Sequence, residues 1–452
     1  MLVMKFGGTS VGSAERIKAL AEIVRARRDR QPVVVVSALS GVTDLLIKGA
    51  KLALARSAEA DGVHDALVKR HREVVDVLFP AGPVRERLMS HVEGVLKDLG
   101  SFYTGVHHLE ELTARTLDAV SGMGERMSCE IVAAWFETAG LNGVCVDARS
   151  VILTDDTFGR ALPLMEETGA RVREQLLPLV KAGKIPVLGG FIAQTKQGVS
   201  TTLGRGGSDW SAAIIGALLP AEEIQIWTDV DGIMTVDPRL VPGARILPEV
   251  TFEEAAELAY FGAKVLHPAT IKPAVERGIP VLVLNSMNPS APGTRIASRK
   301  GDDVPGEPRA LAFKKGITVI LVSQPRMLMA HGFTAKVFEV FARHKTSVDL
   351  IATSEVSISL TIDNTDTLAA VQADLAELGE VRVFASQAIV SVVGRGFNRR
   401  AGLAGRIFQA VHEVNINMIS FGASDVNVSF VVDQADAEKA VKSLHREFFE
   451  AR

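Results

Sequence analysis

Leu2-Val3-Met4-Lys5-Phe6-Gly7-Gly8-Thr9-Ser10 decides how the N-terminal part of this chain is read. Five strand-like residues run into a Gly-Gly turn. A helical pattern follows, with Ile17, Leu20, Ala21 and Val24 at i, i+3, i+4 and i+7, and Ser13 stands where an N-cap belongs. The same alternation continues outward. Val33–Ser37 is an unbroken apolar run, as expected of a strand buried on both faces. Similar runs occur at Gly143–Asp147, Ile185–Leu188, Ile224–Thr228 and Val281–Asn285, with helical patterns between them. Through about residue 297 this predicts an α/β layered sandwich with a largely parallel central sheet. The segment 45–120 is helix-rich and reads as an insertion or lid.

The chain has 452 residues, too many for one ordinary core, so roughly two to four domains are expected. With 47% hydrophobic and 23% charged residues the composition is globular. A net charge of −3 gives no electrostatic case for nucleic-acid binding. No apolar run approaches the roughly 18 residues of a membrane span. Met1 to Lys5 leads straight into strand-like sequence, so no cleavable leader is expected. Two cysteines, Cys129 and Cys145, cannot supply a disulfide framework and are expected in a reducing cytoplasm.

Near 298–310 the composition shifts to Ser-Arg-Lys-Gly-Asp-Asp-Val-Pro-Gly-Glu-Pro, a linker. Beyond it residues 333–363 align without a gap with 403–433, at an offset of 70. Phe338 matches Phe408, Ser354 matches Ser424, Val356 matches Val426, Ser359 matches Ser429 and Asp363 matches Asp433. Each copy reads strand, helix, strand, strand, helix. The repeat is either a paired packing unit alone or a paired ligand-binding unit.

Several motifs carry chemistry. The glycines at 7 and 8 let backbone N–H groups approach phosphate oxygens at a helix N-terminus, and Lys5 can neutralise a transferring phosphoryl group. Gly-Gly after a strand is equally an ordinary tight turn, and the spacing is not that of a P-loop. Ser37-Ala38-Leu39-Ser40-Gly41-Val42-Thr43-Asp44 ends the next strand, where open α/β sheets bind ligands. Its hydroxyls could meet phosphate or carboxylate, or could serve only the turn. Glu125, in Gly122–Ser128, either complements a positive helix end or grips a substrate ammonium group. Arg205, framed by Gly204, Gly206 and Gly207, is poorly suited to packing and well suited to reaching an anion. Asp209, at the next helix start, could act through a bound metal or orient Lys5. In Trp227–Arg239 the acidic residues Asp229, Asp231 and Asp237 could ligate metal or merely order the turns of a nucleotide-binding hairpin. Lys264, just after Gly262 and Ala263, would complement Lys5; His267 before Pro268 reads as structural.

Lys-Phe-Gly-Gly-Thr-Ser at 5–10, Gly-Glu-Arg-Met-Ser at 124–128, Leu-Gly-Arg-Gly-Gly-Ser-Asp at 203–209, Trp-Thr-Asp-Val-Asp-Gly at 227–232 and Phe-Gly-Ala-Lys-Val-Leu-His-Pro at 261–268 together resemble the aspartokinase family, within the amino-acid-kinase superfamily. Their order and the tandem repeat extend the resemblance over essentially the whole chain. It implies a three-layer αβα amino-acid-kinase domain at 1–297, a linker or first strand of the regulatory region at 298–312, and two ferredoxin-like ACT domains at 313–383 and 384–452. It implies transfer of the γ-phosphoryl group of ATP, taken as MgATP, to the β-carboxylate of L-aspartate. Lys5, Lys264 and Asp209 would be catalytic. Ser37, Thr43, Glu125, Phe191, Arg205 and Ser208 would hold aspartate. Lys5, Gly7, Gly8, Thr9, Thr228, Asp229, Met234, Arg239 and Lys264 would hold the nucleotide, with Mg²⁺ carried on its phosphates. Some relatives have tyrosine where this chain has Met234.

The same resemblance implies an effector site of the lysine-inhibited type, formed by Met327, Ala330, Phe333, Thr334, Val348, Asp349, Thr353, Ser354 and Glu355. Asp349 would pair with the effector ammonium; as a bare strand end it would simply be solvated. Relatives are more polar at the positions of Met329 and Ala330. Lysine is the expected effector and threonine the rival. ACT pairing between subunits implies a homodimer or homotetramer. Acetylglutamate or uridylate kinases of the same fold fit poorly with Arg205, Glu125 and the repeat. A catalytically silent sensor fits poorly with Lys5, Arg205, Asp209 and Lys264. Because Arg452 follows the second repeat directly, no fused homoserine dehydrogenase is expected.

Overall fold

The computed structural model describes residues 1–262, 268–298, 306–324 and 331–450. Two compact units emerge. The first comprises Met1–Ile233, Pro248–Phe252 and Val265–Arg299; the second comprises Met234–Leu247, Glu253–Lys264 and Lys300–Arg452.

The first unit is built on an eight-stranded sheet. In chain order its strands and those of a small satellite sheet are β1 (Leu2–Phe6), β2 (Pro32–Val36), β3 (Gly143–Val146), β4 (Leu153–Thr154), β5 (Ile185–Gly189), β6 (Ile192–Thr195), β7 (Ser200–Thr202), β8 (Glu223–Thr228), β9 (Glu249–Thr251), β10 (Val281–Asn285) and β11 (Thr294–Ala297). The main sheet runs β3-β5-β2-β1-β8-β10-β11-β9, and β4-β6-β7 form the satellite. Every pairing in the main sheet is parallel except β10 with β11. The five residues of β2 are all buried, and only Lys5 of β1 is not. That follows from helices covering both faces. β1 sits at the centre with β2 on one side and β8 on the other. The strand order therefore reverses at β1, which opens a crevice at its carboxyl end.

Helices α1 (Ala14–Arg25), α2 (Val42–Leu54), α3 (Glu59–Leu78), α4 (Pro83–Leu109), α5 (Ala114–Ser121) and α6 (Met123–Thr138) lead from β1 and β2 to β3. Ser13 caps α1 as expected, accepting from the Arg16 N–H at 3.3 Å. The helix-rich segment is thus real, and α2, α4 and α6 share one hydrophobic core with β1 and β2. On the Gly207–Leu218 helix the apolar run Ala212, Ala213, Ile214 and Ile215 is fully buried.

The reading of the cysteines needs correction. Cys129 and Cys145 are paired as a single disulfide, their Cα atoms 5.9 Å apart, within the range a disulfide spans. Their sequence separation of 16 hides that α6 and β3 are packed neighbours, which brings the two side chains together.

The second unit has one six-stranded antiparallel sheet. Its strands are β12 (Pro308–Ser323), β13 (Ile351–Thr353), β14 (Ser357–Ile362), β15 (Glu380–Gly394), β16 (Met418–Phe421) and β17 (Asn427–Asp433), in the order β13-β14-β12-β15-β17-β16. The two long central strands pair along nearly their whole length, with register shifts between Lys315 and Val319. Two cores lie on this sheet. Ile320 and Val322 of β12 pack with the Phe333–Arg343 and Leu368–Ala376 helices. Leu311, from the other end of β12, packs with Val390 and Val392 of β15 and the Leu403–Ala410 and Ala437–His445 helices. Each repeat thus borrows a segment of both long strands, a crossing that the local strand–helix pattern does not reveal. Val236 and Val241 join the core of the second repeat, although they lie within the 1–297 span.

Candidate active site

The crevice at the carboxyl end of β1 is a cleft of about 800 Å³, lined by residues of the first unit that include Lys5, Gly7, Gly8, Thr9, Ser37, Thr43, Glu125, Phe191, Arg205, Ser208, Asp209 and Thr228. Twelve of the residues singled out from sequence therefore meet in one place.

Lys5 ends β1 and Asp209 opens the Gly207–Leu218 helix. Their Nζ and Oδ1 lie 2.6 Å apart, each side chain only 12% and 11% exposed. Asp209 thus holds the ammonium at the cleft wall, the orienting role considered for it. The Gly7 N–H donates to the Trp227 carbonyl at 3.1 Å, which ties the glycine turn to β8. At Gly8 a Cβ would stand 3.1 Å from the Ala38 carbonyl, tighter than ordinary contact, so the turn can lie against the β2 loop only without a side chain.

Across the cleft Glu125 is 3% exposed. One carboxylate oxygen accepts from the Ala38 N–H at 3.1 Å; the other is buried and has no hydrogen-bonding partner among the described residues. Burial pushes its pKa up to about 7, partly offset by the Ala38 hydrogen bond. An unpaired, buried acceptor of this kind is costly until a donor arrives. The Ser37 hydroxyl donates to the Ser208 hydroxyl at 3.0 Å, and Ser128 donates to the Ser37 carbonyl at 2.8 Å, so β2, α6 and the Gly207–Leu218 helix are laced together.

Phe191 adopts a positive φ of 67°, uncommon for a residue with a side chain and a mark of a functional turn. Its ring lies so close to Gly207 that a Cβ there would be 2.7 Å away. Arg205 is exposed and stands between Gly204 and Gly206, both at positive φ. No bulky neighbour in its own turn limits the swing of the guanidinium.

Thr228 lines the cleft and donates to Asp229 at 3.2 Å, whereas Asp229 is not a lining residue. Asp231 accepts from Asn285 and Asn288 at 2.8 and 3.2 Å, the turn-ordering reading of that acidic cluster. Met234 and Arg239 belong to the second unit. Met234 bridges Ile246, and the exposed Arg239 pairs with Asp237 at 2.7 Å. Lys264, Met327 and Ala330 lie outside the described residues. Among the described residues no group of three or more His, Cys, Asp or Glu side chains could hold a metal ion, and no helix is long and apolar enough to cross a membrane.

Of the expected effector residues, Phe333 and Val348 are half-buried against the first-repeat core. Thr334, Thr353, Ser354 and Glu355 are exposed, the last two in the β13–β14 turn that the Ser354 hydroxyl organises. Asp349 is not a solvated strand end. Its side chain is 3% exposed, it accepts from the Tyr260 hydroxyl at 2.6 Å, and Lys314 approaches to 3.5 Å. Burial pushes its pKa up, against the pull of Tyr260 and Lys314. Its second oxygen is buried without a hydrogen-bonding partner among the described residues.

Sequence reading missed Asp118, Lys51, Tyr260 and Lys314. Asp118 left a signal: a carboxylate between Leu117 and Val120 on the inward face of α5 has to find donors inside the protein.

Residues 1–285 match the Amino acid kinase family, and residues 314–374 and 390–448 each match the ACT domain. The chain is 38% identical to Lysine-sensitive aspartokinase 3 of Escherichia coli, covering all of this chain and 99% of that protein. It is also 38% identical to the chloroplastic Aspartokinase 1 of Arabidopsis thaliana, over 99% of this chain and 80% of that one. Among solved structures it resembles E. coli aspartokinase III in complex with aspartate and ADP, with a TM-score of 0.87 and 36% identity over 99% of this chain and all of that one. The complex of that protein with lysine and aspartate gives 0.83 at the same identity, over 99% of both chains. Full-length identity to these relatives, together with a cleft that gathers the kinase motifs, establishes that the chain belongs to the aspartokinase family, with an amino-acid-kinase domain and tandem ACT domains.

Proposed function

We propose that the chain transfers the γ-phosphoryl group of MgATP to the β-carboxylate of L-aspartate, giving 4-phospho-L-aspartate. The observation that carries this reading is the Lys5–Asp209 pair facing, within one cleft, a buried Glu125 with an unsatisfied oxygen. A carboxylate is already an anionic nucleophile, so no strong base is required. The barrier lies in bringing two anions together, which cations and positioning reduce.

In this mechanism the substrate ammonium satisfies Glu125, and Arg205 takes a substrate carboxylate with Thr43, Ser208 and Phe191 beside it. The backbone N–H groups at Gly7, Gly8 and Thr9 receive phosphate oxygens. Lys5, steered by Asp209, neutralises the charge that spreads over the transferring group, and Lys264 supplies a second cation. Mg²⁺ arrives with the nucleotide, whose further contacts in the first unit are Thr228 and Asp229. Within 1–297 the residues of the first unit form the catalytic domain, and the ACT domains at 313–383 and 384–452 sense lysine, with Asp349 receiving its α- or ε-ammonium. The protein works in the cytoplasm as a homodimer or homotetramer joined through the ACT domains, without nucleic-acid or membrane partners.

A hydroxamate assay with aspartate and MgATP, titrated with lysine and with threonine, tests both halves. Aspartyl hydroxamate that is suppressed by lysine is expected. No hydroxamate would sink the activity, and indifference to both amino acids would sink the sensing role.

A further inference from the structure

Asp118 on α5 is 3% exposed, yet it lines the cleft. Its carboxylate is saturated. The Gly159 N–H reaches both oxygens at 3.0 and 2.9 Å, and Thr202 donates its N–H at 3.0 Å and its hydroxyl at 2.6 Å. A carboxylate that accepts this many fixed donors is a strong local anchor. Both donors lead to Arg205. Thr202 ends β7 and is followed by Leu203, Gly204 and then Arg205. The Ala161 N–H donates to the Thr202 carbonyl at 2.9 Å, joining the two tethered segments a second time. Gly159 in turn packs on Gly204, where a Cβ would stand 2.8 Å from the Gly159 carbonyl and 3.4 Å from Arg160 Cα.

We propose that Asp118 is a positioning residue for aspartate binding, which fixes the base of the Arg205 turn by clamping Gly159 and Thr202 together. Asp118 acts in this reading through Arg205, so the proposal rests on the reading of Arg205 as the partner of the aspartate carboxylate. Arg205 is exposed on a long flexible stem between two glycines, so its aim depends on where that turn is anchored. The nucleotide side of the cleft, at Gly7, Gly8 and Thr228, hangs on β1 and β8 and does not depend on this clamp. That separation gives the proposal a signature that general destabilisation lacks.

Steady-state kinetics of the full chain test it. In Asp118→Asn the amide replaces one acceptor with a donor that faces donors. The KM for aspartate is expected to rise about tenfold, as for loss of a hydrogen bond to a charged group, with the KM for ATP held within about twofold and kcat within about threefold. Thr202→Val, which deletes only the hydroxyl, is expected to move the aspartate KM the same way by roughly two- to threefold, and it carries the test if Asp118→Asn does not fold. An unchanged aspartate KM, or aspartate and ATP constants rising together, overturns the proposal. A wild-type chain with no aspartate-dependent turnover overturns the underlying reading instead, and with it the proposal.

Discussion

Lys5 and Glu125 face opposite demands, and each yields a prediction. Lys5 is held by Asp209 at the point where charge moves, so Lys5→Ala is expected to lower turnover by about two to three orders of magnitude while ATP still binds. Near-normal turnover, measured beside nucleotide binding by calorimetry, would remove Lys5 from the mechanism. Glu125 has a folded-state pKa raised from 4.5 to about 7 by burial. Its proton is held more tightly folded than unfolded, so the stability it contributes is present below about pH 4.5 and is lost as pH rises through about 7. Binding a substrate ammonium needs the ionised form. The aspartate KM should therefore fall as pH rises from 6 to 8, and Glu125→Gln should flatten that profile while raising KM throughout. A wild-type profile that is flat, or that slopes the other way, would dissociate Glu125 from the ammonium. Both residues were visible in the sequence because a lysine at a strand end and a glutamate after Gly-Met-Gly are placed for chemistry. The partners of Asp118 lie 41 and 84 residues away and that of Tyr260 89, so neither pairing could be read from the sequence.

At the scale of elements, the buried strands were legible and their neighbours less so. β1, β2, β5, β8 and β10 announce themselves because both faces are covered and the apolar run is continuous. Long helices α3 and α4 could be recognised only as helical sequence, since their packing partners are set by tertiary contacts. Here glycines give opposite expectations. At Gly49 on α2 a Cβ would lie 2.2 Å from the Tyr103 hydroxyl, and that hydroxyl is itself committed to the Leu46 carbonyl at 2.8 Å. Gly49→Ala is expected to destabilise by about 1–3 kcal/mol through overpacking. Gly100, inside the 27-residue α4, has open space around it, and Gly100→Ala should stabilise by about 0.5–1 kcal/mol. Denaturant titration of the two variants checks the pair; equal signs would mean that α2 and α4 do not meet as described.

For the whole molecule, regulation requires that an effector bind two states unequally. Tyr260 and Lys314 both approach the same Asp349 oxygen, so an ammonium that takes that oxygen must compete with them. Tyr260 stands immediately before the Phe261–Pro268 motif that carries Lys264. Tyr260→Phe removes the competing hydroxyl, and half-maximal inhibition by lysine is then expected at roughly tenfold lower concentration. A shift to higher concentration would assign Tyr260 to effector binding itself. The tandem repeat was plain in sequence because helices and edge strands recur at a constant offset, but the way the long central strands are divided between the two cores was not. Offsets compare each copy with the other and are silent about which core a strand enters.

That division has a mechanical meaning. The first half of β12 and the second half of β15 serve one core, and their other halves serve the next, so the second repeat takes one of its strand segments from ahead of the first and both cores share the two long strands. Drawn apart by its ends, this part of the chain has no seam at which one repeat can peel away intact. Tension on β12 loads both cores together, and they should yield in a single rupture rather than as two separate steps.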